Sequence, residues 1–255
     1  MPFRVCFTSF FARHIQLAII LAFCCCVSVL GCTNGRNNSV EETKESKVDI
    51  SDFNVVEEGN NMLPENYADY INKCANYYYN YVDVGDYSSV TYSIRKNASD
   101  TDESYNERKQ DAIYEVISNN SNVKTYPKDI YDSLISTLGD NIKKEYEEYK
   151  EEDQSFGDYL YNEYGYKTID EFDKWSEEYT QNYLKQMMIV YIIAYENKIT
   201  VSSEDIINKG NEQAELYNGY EDIVTQFGNE MNTELGYAVL YTKVMDFLVS
   251  ISIGE

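Results

Sequence analysis

From Leu63 onward, hydrophobic residues recur at spacings of three and four, with polar residues between them. Because an α-helix turns once in about 3.6 residues, this spacing places the apolar side chains on one helical face. The pattern predicts helices over residues 65–81, 105–118, 128–152, 169–197 and 233–251. We therefore expect an all-α fold.

Capping patterns indicate where several helices begin. A hydroxyl three residues before an acidic side chain can satisfy the free N–H groups of a first helical turn. Three such pairs occur: Ser155 with Asp158, Thr168 with Glu171, and Ser202 with Asp205. The first pair predicts a short helix ending near Gly165, and the last predicts a helix after residue 202. Pro127 can begin a helix but not continue one, so it marks the start of the helix over 128–152.

Residues 82–94 depart from the helical period. A turn-like stretch is followed by alternation of apolar and polar residues at Val90, Tyr92 and Ile94. Alternation with a period of two is typical of a strand. At most one small β element is therefore expected, near residues 82–94.

The first 32 residues have the organisation of an export signal. Arg4 and Arg13 precede an uncharged apolar run over 17–30, and the run ends at Val29-Leu30-Gly31-Cys32. That tetrapeptide resembles the bacterial lipobox, in which the cysteine thiol receives a lipid. We therefore predict a signal peptide over 1–31, lipidation of Cys32, and a location on the extracytoplasmic face of the cell membrane. An uncleaved anchor over 15–32 is the alternative, because about 20 apolar residues span a bilayer.

Residues 32–61 are rich in Asn, Ser, Glu and Lys and nearly lack aromatic residues. Such a composition cannot build a core, so we expect a disordered tether there.

Charge and residue types exclude several functions. The formal net charge of −23 argues against nucleic acid as a partner, since phosphates need cationic side chains. His14 is the only histidine and lies in the predicted signal peptide, which removes histidine-based catalysis and histidine-ligated metal sites. No phosphate-binding loop of the form Gly-x-x-x-x-Gly-Lys occurs. We expect no cofactor, no metal and no ATP-driven activity. Cys74 is expected to be a small buried hydrophobe rather than a reactive thiol.

Several short motifs resemble the C-terminal chaperone domain of trigger factor, which is similar in design to SurA-like chaperones. They are 123–127 (Val-Lys-Thr-Tyr-Pro), 155–160 (Ser-Phe-Gly-Asp-Tyr-Leu), 165–172, 185–186 in a long helix, 197–201 and 243–249 (Lys-Val-Met-Asp-Phe-Leu-Val). The resemblance implies a helical chaperone domain over 126–251, with arms forming a cradle for unfolded or partly folded exported polypeptides. Residues 62–125 are expected to form an N-terminal helical segment with a short strand and a linker helix. Within it, 81–87 and 112–117 resemble the segments that flank an inserted isomerase domain in trigger-factor-like lipoproteins.

The FKBP-type isomerase insert of the longer relatives is missing, because too few residues separate Ile94 from the following helix. The resemblance therefore implies a holdase rather than an enzyme. Two alternatives stay open, namely a retained peptidyl-prolyl isomerase activity and a binding lipoprotein dedicated to one partner at the cell surface.

Tyrosine and methionine adapt to varied apolar partners, and the chain has 26 tyrosines. We predict that several tyrosines line a client-binding groove, against the alternative that the tyrosines reflect compositional bias. The run over 187–195 is apolar on every side, so we expect it to be core, with a client-binding surface as the alternative. The candidates are Tyr146, Tyr149, Tyr159, Tyr161, Tyr164, Met187, Met188, Tyr191, Tyr217 and Tyr220.

The acidic loop at 97–103 begins like a calcium-binding loop, with acids at Asp100 and Asp102. Tyr105 stands where such a loop requires glycine, so calcium binding is not expected.

Overall fold

The computed structural model describes residues 67–212, 218–227 and 231–254. The predicted signal peptide, the tether and Cys32 lie outside these residues. The helices are α1 (Ala68–Tyr78), α2 (Asp102–Asn120), α3 (Lys128–Tyr149), α4 (Phe156–Tyr159), α5 (Ile169–Glu196), α6 (Ser203–Asn211), α7 (Tyr220–Phe227) and α8 (Met231–Ile251). A π-helical turn, Leu160–Tyr164, follows α4 directly. The prediction of an all-α fold is confirmed.

The predicted caps are present. The hydroxyls of Ser155, Thr168 and Ser202 accept hydrogen bonds from the backbone N–H groups of the third residue beyond each, and Ser202 forms a complete capping box with Asp205. Thr101 caps α2 in the same way, so this helix begins three residues earlier than the apolar period alone predicted.

Helix α7 was not predicted from the sequence. Gly219 precedes it with a positive φ of 105°, and Glu221 and Asp222 lie in its first turn. With only eight residues, the helix carries too short an apolar pattern to stand out.

Within the described residues there are two small β pairs rather than the single element that we expected. Strand β1 (Val82–Asp83) is antiparallel to β3 (Asn122–Val123), and β2 (Thr91–Tyr92) is parallel to β4 (Ile253–Gly254). The first strand of each pair lies in the predicted region. The partner strands have only two residues each, which is too short for alternation to be read from sequence.

The main core surrounds the last half of α5. Residues 187–194 are buried, and α1, α2 and α8 pack around them. Eight of the nine residues of the apolar run are therefore core, as expected, whereas Tyr195 at its end is exposed. Within the residues that the structure describes, none of the helices is both long and apolar enough to cross a membrane.

The segment before residue 126 contributes to this same core. Ile71 and Ile113 pack in one cluster with Leu184 and Val244, so the N-terminal helices and the later helices bury a common interior. Residues 93–101 alone connect β2 to α2. No separate folded unit lies at this point of the described chain.

Helices α1 and α8 meet at Gly236. A Cβ atom at this position would lie 2.8 Å from ring atoms of Tyr67. The ring cannot easily move aside, because Tyr67 is buried and its hydroxyl donates a 2.7 Å hydrogen bond to the carbonyl oxygen of Asn232. The close approach therefore requires glycine.

Replacement of Gly236 by alanine should lower the free energy of unfolding by about 1–3 kcal/mol, because the added methyl overpacks the contact with Tyr67. Gly139 in α3 is the matched control, since a Cβ there meets nothing within 4 Å. Gly139→Ala should stabilise by about 0.5–1 kcal/mol through helix propensity. Urea unfolding measures both, and two changes of the same sign would contradict the packing described.

Glu234 is a buried carboxylic acid in the first turn of α8. Burial raises its pKa well above the ordinary glutamate value. The folded protein thus binds this proton more strongly than the unfolded chain does. The stability that this stronger proton binding contributes is complete at pH values below the unfolded-state pKa of Glu234. It is lost as the pH rises through the folded-state pKa.

Glu234→Gln should therefore raise the free energy of unfolding at pH 8 by about 1–3 kcal/mol, since the amide never has to ionise. The difference from wild type should shrink as the pH falls towards about 4.3, the ordinary glutamate pKa. Thermal unfolding across this range provides the measurement. Glu177→Gln, at an exposed position of α5, is the control and should change stability little at any pH. A Glu234 variant that is less stable at pH 8 would contradict the prediction.

Candidate functional site

Helix α3 and the first half of α5 form an antiparallel hairpin, residues 128–183, which we call the arm. Leu134 in α3 and Leu184 in α5 belong to the main core, whereas Leu138 and Phe172 belong to a second apolar cluster farther along the hairpin. The arm therefore has a small core of its own. The buried members of this arm cluster are Leu138, Ile142, Leu160 and Phe172, and around them pack Phe156, Tyr164, Tyr166, Trp175 and Tyr179.

Residues 153–166, which we call the tip segment, cross the end of the arm. Ser155 caps α4, and the π-helical turn then carries Leu160 into the arm cluster, where it is fully buried. Gly165 ends this turn in the left-handed conformation, with a φ of 78°. The motifs at 155–160 and 165–172 thus build the tip segment and the start of α5.

Two tyrosines of the tip segment bind one carboxylate of α3. The hydroxyl of Tyr159 donates a 2.8 Å hydrogen bond to Oε1 of Glu145, and the hydroxyl of Tyr164 donates a 2.7 Å bond to Oε2. Burial, together with these hydrogen bonds to a carboxylate, raises the pKa of both tyrosines well above the ordinary value. Both hydroxyls therefore stay protonated and remain donors at neutral pH.

A third tyrosine holds the other end of the tip segment. The hydroxyl of Tyr146 donates a 2.7 Å hydrogen bond to the carbonyl oxygen of Gln154. Its ring packs against Phe156 and Tyr159, with centroid separations of 5.3 and 5.5 Å. The nitrogen of Lys150 lies 5.0 Å from the centroid of the same ring.

Aromatic rings continue from the arm cluster along α5. Trp175 lies 5.5 Å from Tyr166, 5.9 Å from Phe172 and 5.2 Å from Tyr179, measured between ring centroids. Tyr179 in turn stacks on Tyr183, which packs in the main core. Burial raises the pKa of Tyr166 and of Tyr179 to about 12 each. A continuous row of neutral aromatic side chains therefore joins the arm to the body.

The structure brings together the five candidate tyrosines between residues 146 and 164, all of which lie at the end of the arm. Tyr149 and Tyr161 are 65% and 57% exposed, and they are among the most exposed large hydrophobic residues of the described chain. Tyr146, Tyr159 and Tyr164 instead use their hydroxyls within the arm. Tyr159 is buried and Tyr146 and Tyr164 are half-buried, so Tyr149 and Tyr161 offer the most ring area to solvent.

The remaining candidates do not join this group. Met187, Met188 and Tyr191 are buried in the main core, so they present no surface to a client, and our expectation for them is corrected. Tyr220 begins α7, and its hydroxyl donates a 2.8 Å hydrogen bond to Oδ1 of Asn232. Tyr217 lies outside the described residues. The nine candidates within the described residues therefore lie in separate parts of the molecule.

The surface of the arm is strongly acidic. Acidic residues outnumber lysines between residues 128 and 183, and the segment contains no arginine. Several of the lysines form ion pairs within one helix or next to its end, as Lys150 does with Glu147 at 2.7 Å and Lys174 with Glu178 at 3.8 Å. The arm therefore carries an excess of negative charge, which keeps an apolar surface soluble.

The acids of the loop before α2 are paired within the protein. Asp100 accepts a 2.7 Å hydrogen bond from the backbone N–H of Asn97 and forms an ion pair with Arg108. Asp102 forms an ion pair with Lys96. Both carboxylates are therefore paired with cationic side chains of the protein.

Sequence reasoning missed the residues that build the arm cluster. Phe156, Phe172 and Trp175 lie in or next to the short motifs, but a capping motif predicts only where a helix begins. One signal in the sequence could have indicated this cluster. Between residues 156 and 183, aromatic residues are more frequent than the packing of a single helix face requires. Glu145 could not be distinguished from its many acidic neighbours without the positions of Tyr159 and Tyr164.

The helical body and its arm define an all-α domain of chaperone type. Residues 90–250 match the family described as the bacterial trigger factor protein (TF) C-terminus, and the chain belongs to this family, since the match spans more than half of it. No curated protein and no solved structure matches the chain. The family supports a chaperone-type function and the binding of unfolded polypeptide substrates.

Proposed function

We propose that this protein is an ATP-independent holdase, tethered by lipid on Cys32 to the outer face of the cell membrane, which binds unfolded or partly folded exported polypeptides. The observation that carries the proposal is the arm, because a domain of this family presents there a separate apolar cluster together with two exposed tyrosines, Tyr149 and Tyr161.

The arm has the properties that weak and distributed binding needs. Tyrosine offers apolar area and a hydroxyl at a low cost in side-chain entropy. The surrounding acids keep the rings in solution and discourage association of the arms with one another, because like charges repel. Unfolded segments can therefore bind at the tip without self-association of the protein.

The proposed location rests on the sequence alone. Val29-Leu30-Gly31-Cys32 follows a basic start and an apolar run, as a lipobox does. A tether over 32–61 would let the acidic body stand away from anionic lipid headgroups. The protein would then meet polypeptides as they emerge on the far side of the membrane.

The protein from Thr33 onward should suppress the aggregation of reduced insulin without added nucleotide. Replacing both Tyr149 and Tyr161 by serine should weaken this suppression by about threefold or more, since the exposed rings supply contact area. Light scattering at increasing ratios of protein to insulin measures the effect.

Ile253→Ser is the matched control, because Ile253 is similarly exposed, at 58%, but lies in β4 of the body. It should leave the suppression unchanged. Prolyl isomerisation of a peptide, followed in parallel, tests the isomerase alternative. Acceleration of isomerisation, or no suppression by the unaltered protein, would contradict the holdase proposal. Binding of a single partner without any effect on insulin would favour the dedicated binding lipoprotein.

Cys32→Ser should abolish lipid attachment, since the thiol is the acceptor that the lipobox provides. The unaltered protein, expressed in a bacterium that processes lipoproteins, should fractionate with membranes and gain the mass of a lipid. The variant should lack that mass. Cys74→Ser is the control and should be lipidated like wild type, because Cys74 is a buried residue of α1. Unlipidated wild-type protein that remains in the membrane would instead indicate the uncleaved anchor.

A further inference from the structure

The tip segment is fastened to the rest of the arm at a small area of α3. Its side-chain hydrogen bonds to other described elements converge on two adjacent residues, Glu145 and Tyr146. The tip segment otherwise packs through Phe156, Leu160 and Tyr166. A segment held at one place can open without disturbing the body.

Both ends of the tip segment have backbone conformations suited to a hinge. Asp153 has a φ of 64° and Gly165 a φ of 78°, so the chain turns sharply on each side of α4 and the π-helical turn. Residues at such turns absorb the changes in φ and ψ when a lid moves. Short π-helical turns are also frequent at functional sites.

More than half of the arm cluster stays partly open to water. Of its nine side chains four are buried, and the five that pack around them, all aromatic, are only partly buried. Within the described chain, four side-chain atoms are buried without a hydrogen-bond partner. Two of them, Asn141 Nδ2 and Ser176 Oγ, lie on the two helices that form the arm, and the other two belong to Tyr237 and Ser252 in the body. Buried polar atoms without partners weaken the packing of α3 against α5.

The tip segment itself shows what the arm cluster can hold. It inserts Phe156 and Leu160, which are four residues apart and therefore about one helical turn apart. Phe172 contacts the ring of Phe156, with centroids 6.4 Å apart. The site thus accepts an aromatic and an aliphatic side chain from one turn of polypeptide.

From this geometry we infer that the tip segment is a lid over a client-binding site between α3 and α5. An unfolded segment with an aromatic and an aliphatic residue four positions apart displaces Phe156 and Leu160 and docks in their place as a helical turn. This inference rests on the proposed holdase function and identifies where and what that holdase binds.

The hydrogen bonds from the hydroxyls of Tyr159 and Tyr164 to Glu145 determine the fraction of molecules in which the lid is open. A client that needs the open state binds with an affinity reduced by the fraction of open molecules. Weakening the attachment to Glu145 should therefore tighten client binding. This is the opposite of the effect expected if the two tyrosines contacted the client directly.

The test compares two double variants of the protein from Thr33 onward, which contains every described residue. Tyr159→Phe with Tyr164→Phe removes both donors to Glu145 and keeps the rings. Tyr79→Phe with Tyr87→Phe is the matched control, since these two hydroxyls donate to the carboxylate of Glu196 in the body. The client is reduced and carboxymethylated ribonuclease A, which cannot refold and lacks tryptophan.

The lid variant should bind this client with a Kd about threefold to tenfold below that of wild type, and the control variant should not differ from wild type. Trp175, the only tryptophan of the protein, lies in the arm cluster and should change its emission as client is added. If wild type binds the client but the lid variant binds no more tightly, or Trp175 does not respond, the lid is refuted and the holdase stands. If wild type binds no client, both proposals fail.

Hydrogen exchange of the unaltered protein keeps the test decisive even if a variant folds poorly. Client should speed exchange of the amides in 156–166 and leave those in 187–194 unchanged. Slower exchange in 156–166 would mean that the tip segment stays closed over the bound state, which would overturn the inference.

A peptide with the sequence of residues 153–166 provides the test of occupant chemistry. It should compete with the client, and the same peptide with Phe156→Ser and Leu160→Ser should not. Equal competition by both peptides would refute the proposed pair of anchoring side chains.

Discussion

Burial of the last half of α5 is the constraint on which the rest of the structure depends. Residues 187–194 are apolar on every side, so no single partner helix could cover them. Each fully buried large side chain stabilises the fold by about 1.5–3 kcal/mol. Burial of this segment therefore favours the packing of α1, α2 and α8 around it. Because a helix is a stiff rod, fixing its last half also fixes the direction of its first half. The arm is therefore an extension of the same helix that organises the core.

Tyrosine takes the place of basic residues as a partner of carboxylates in this acid-rich chain. Glu145 accepts hydrogen bonds from Tyr159 and Tyr164, and Glu196 accepts them from Tyr79 and Tyr87. A neutral hydroxyl can donate to a carboxylate without the desolvation of a second charge. The abundance of tyrosine thus has structural uses beyond contact with clients, and most of the candidate tyrosines of the arm have such a use.

The body and the arm differ in how completely their side chains are buried. The body buries large aliphatic side chains completely, and its helices contact several neighbours. The arm relies on a small aromatic cluster, partly open to water and closed by one short segment. Regions that change shape in binding are drawn from the less stable parts of a protein. The division suits a chaperone, which must keep its own fold while it accepts varied and poorly structured partners.

The sequence by itself determined the helical class, most helix starts and the buried run of α5, because these depend on local periodicity and on side chains that cap the nearest turn. It also carried the family motifs, although it did not show what Phe156 and Phe172 contact. Only the tertiary structure decided that Tyr159 is buried whereas Tyr149 and Tyr161 are exposed, since all three are tyrosines from one stretch of the arm. The tertiary structure alone also showed that strands 122–123 and 253–254 pair with β1 and β2. It likewise showed that Glu145 accepts hydrogen bonds from Tyr159 and Tyr164. Each of these depends on contacts between residues far apart in the chain or on different elements, and such contacts leave no periodic trace in the sequence.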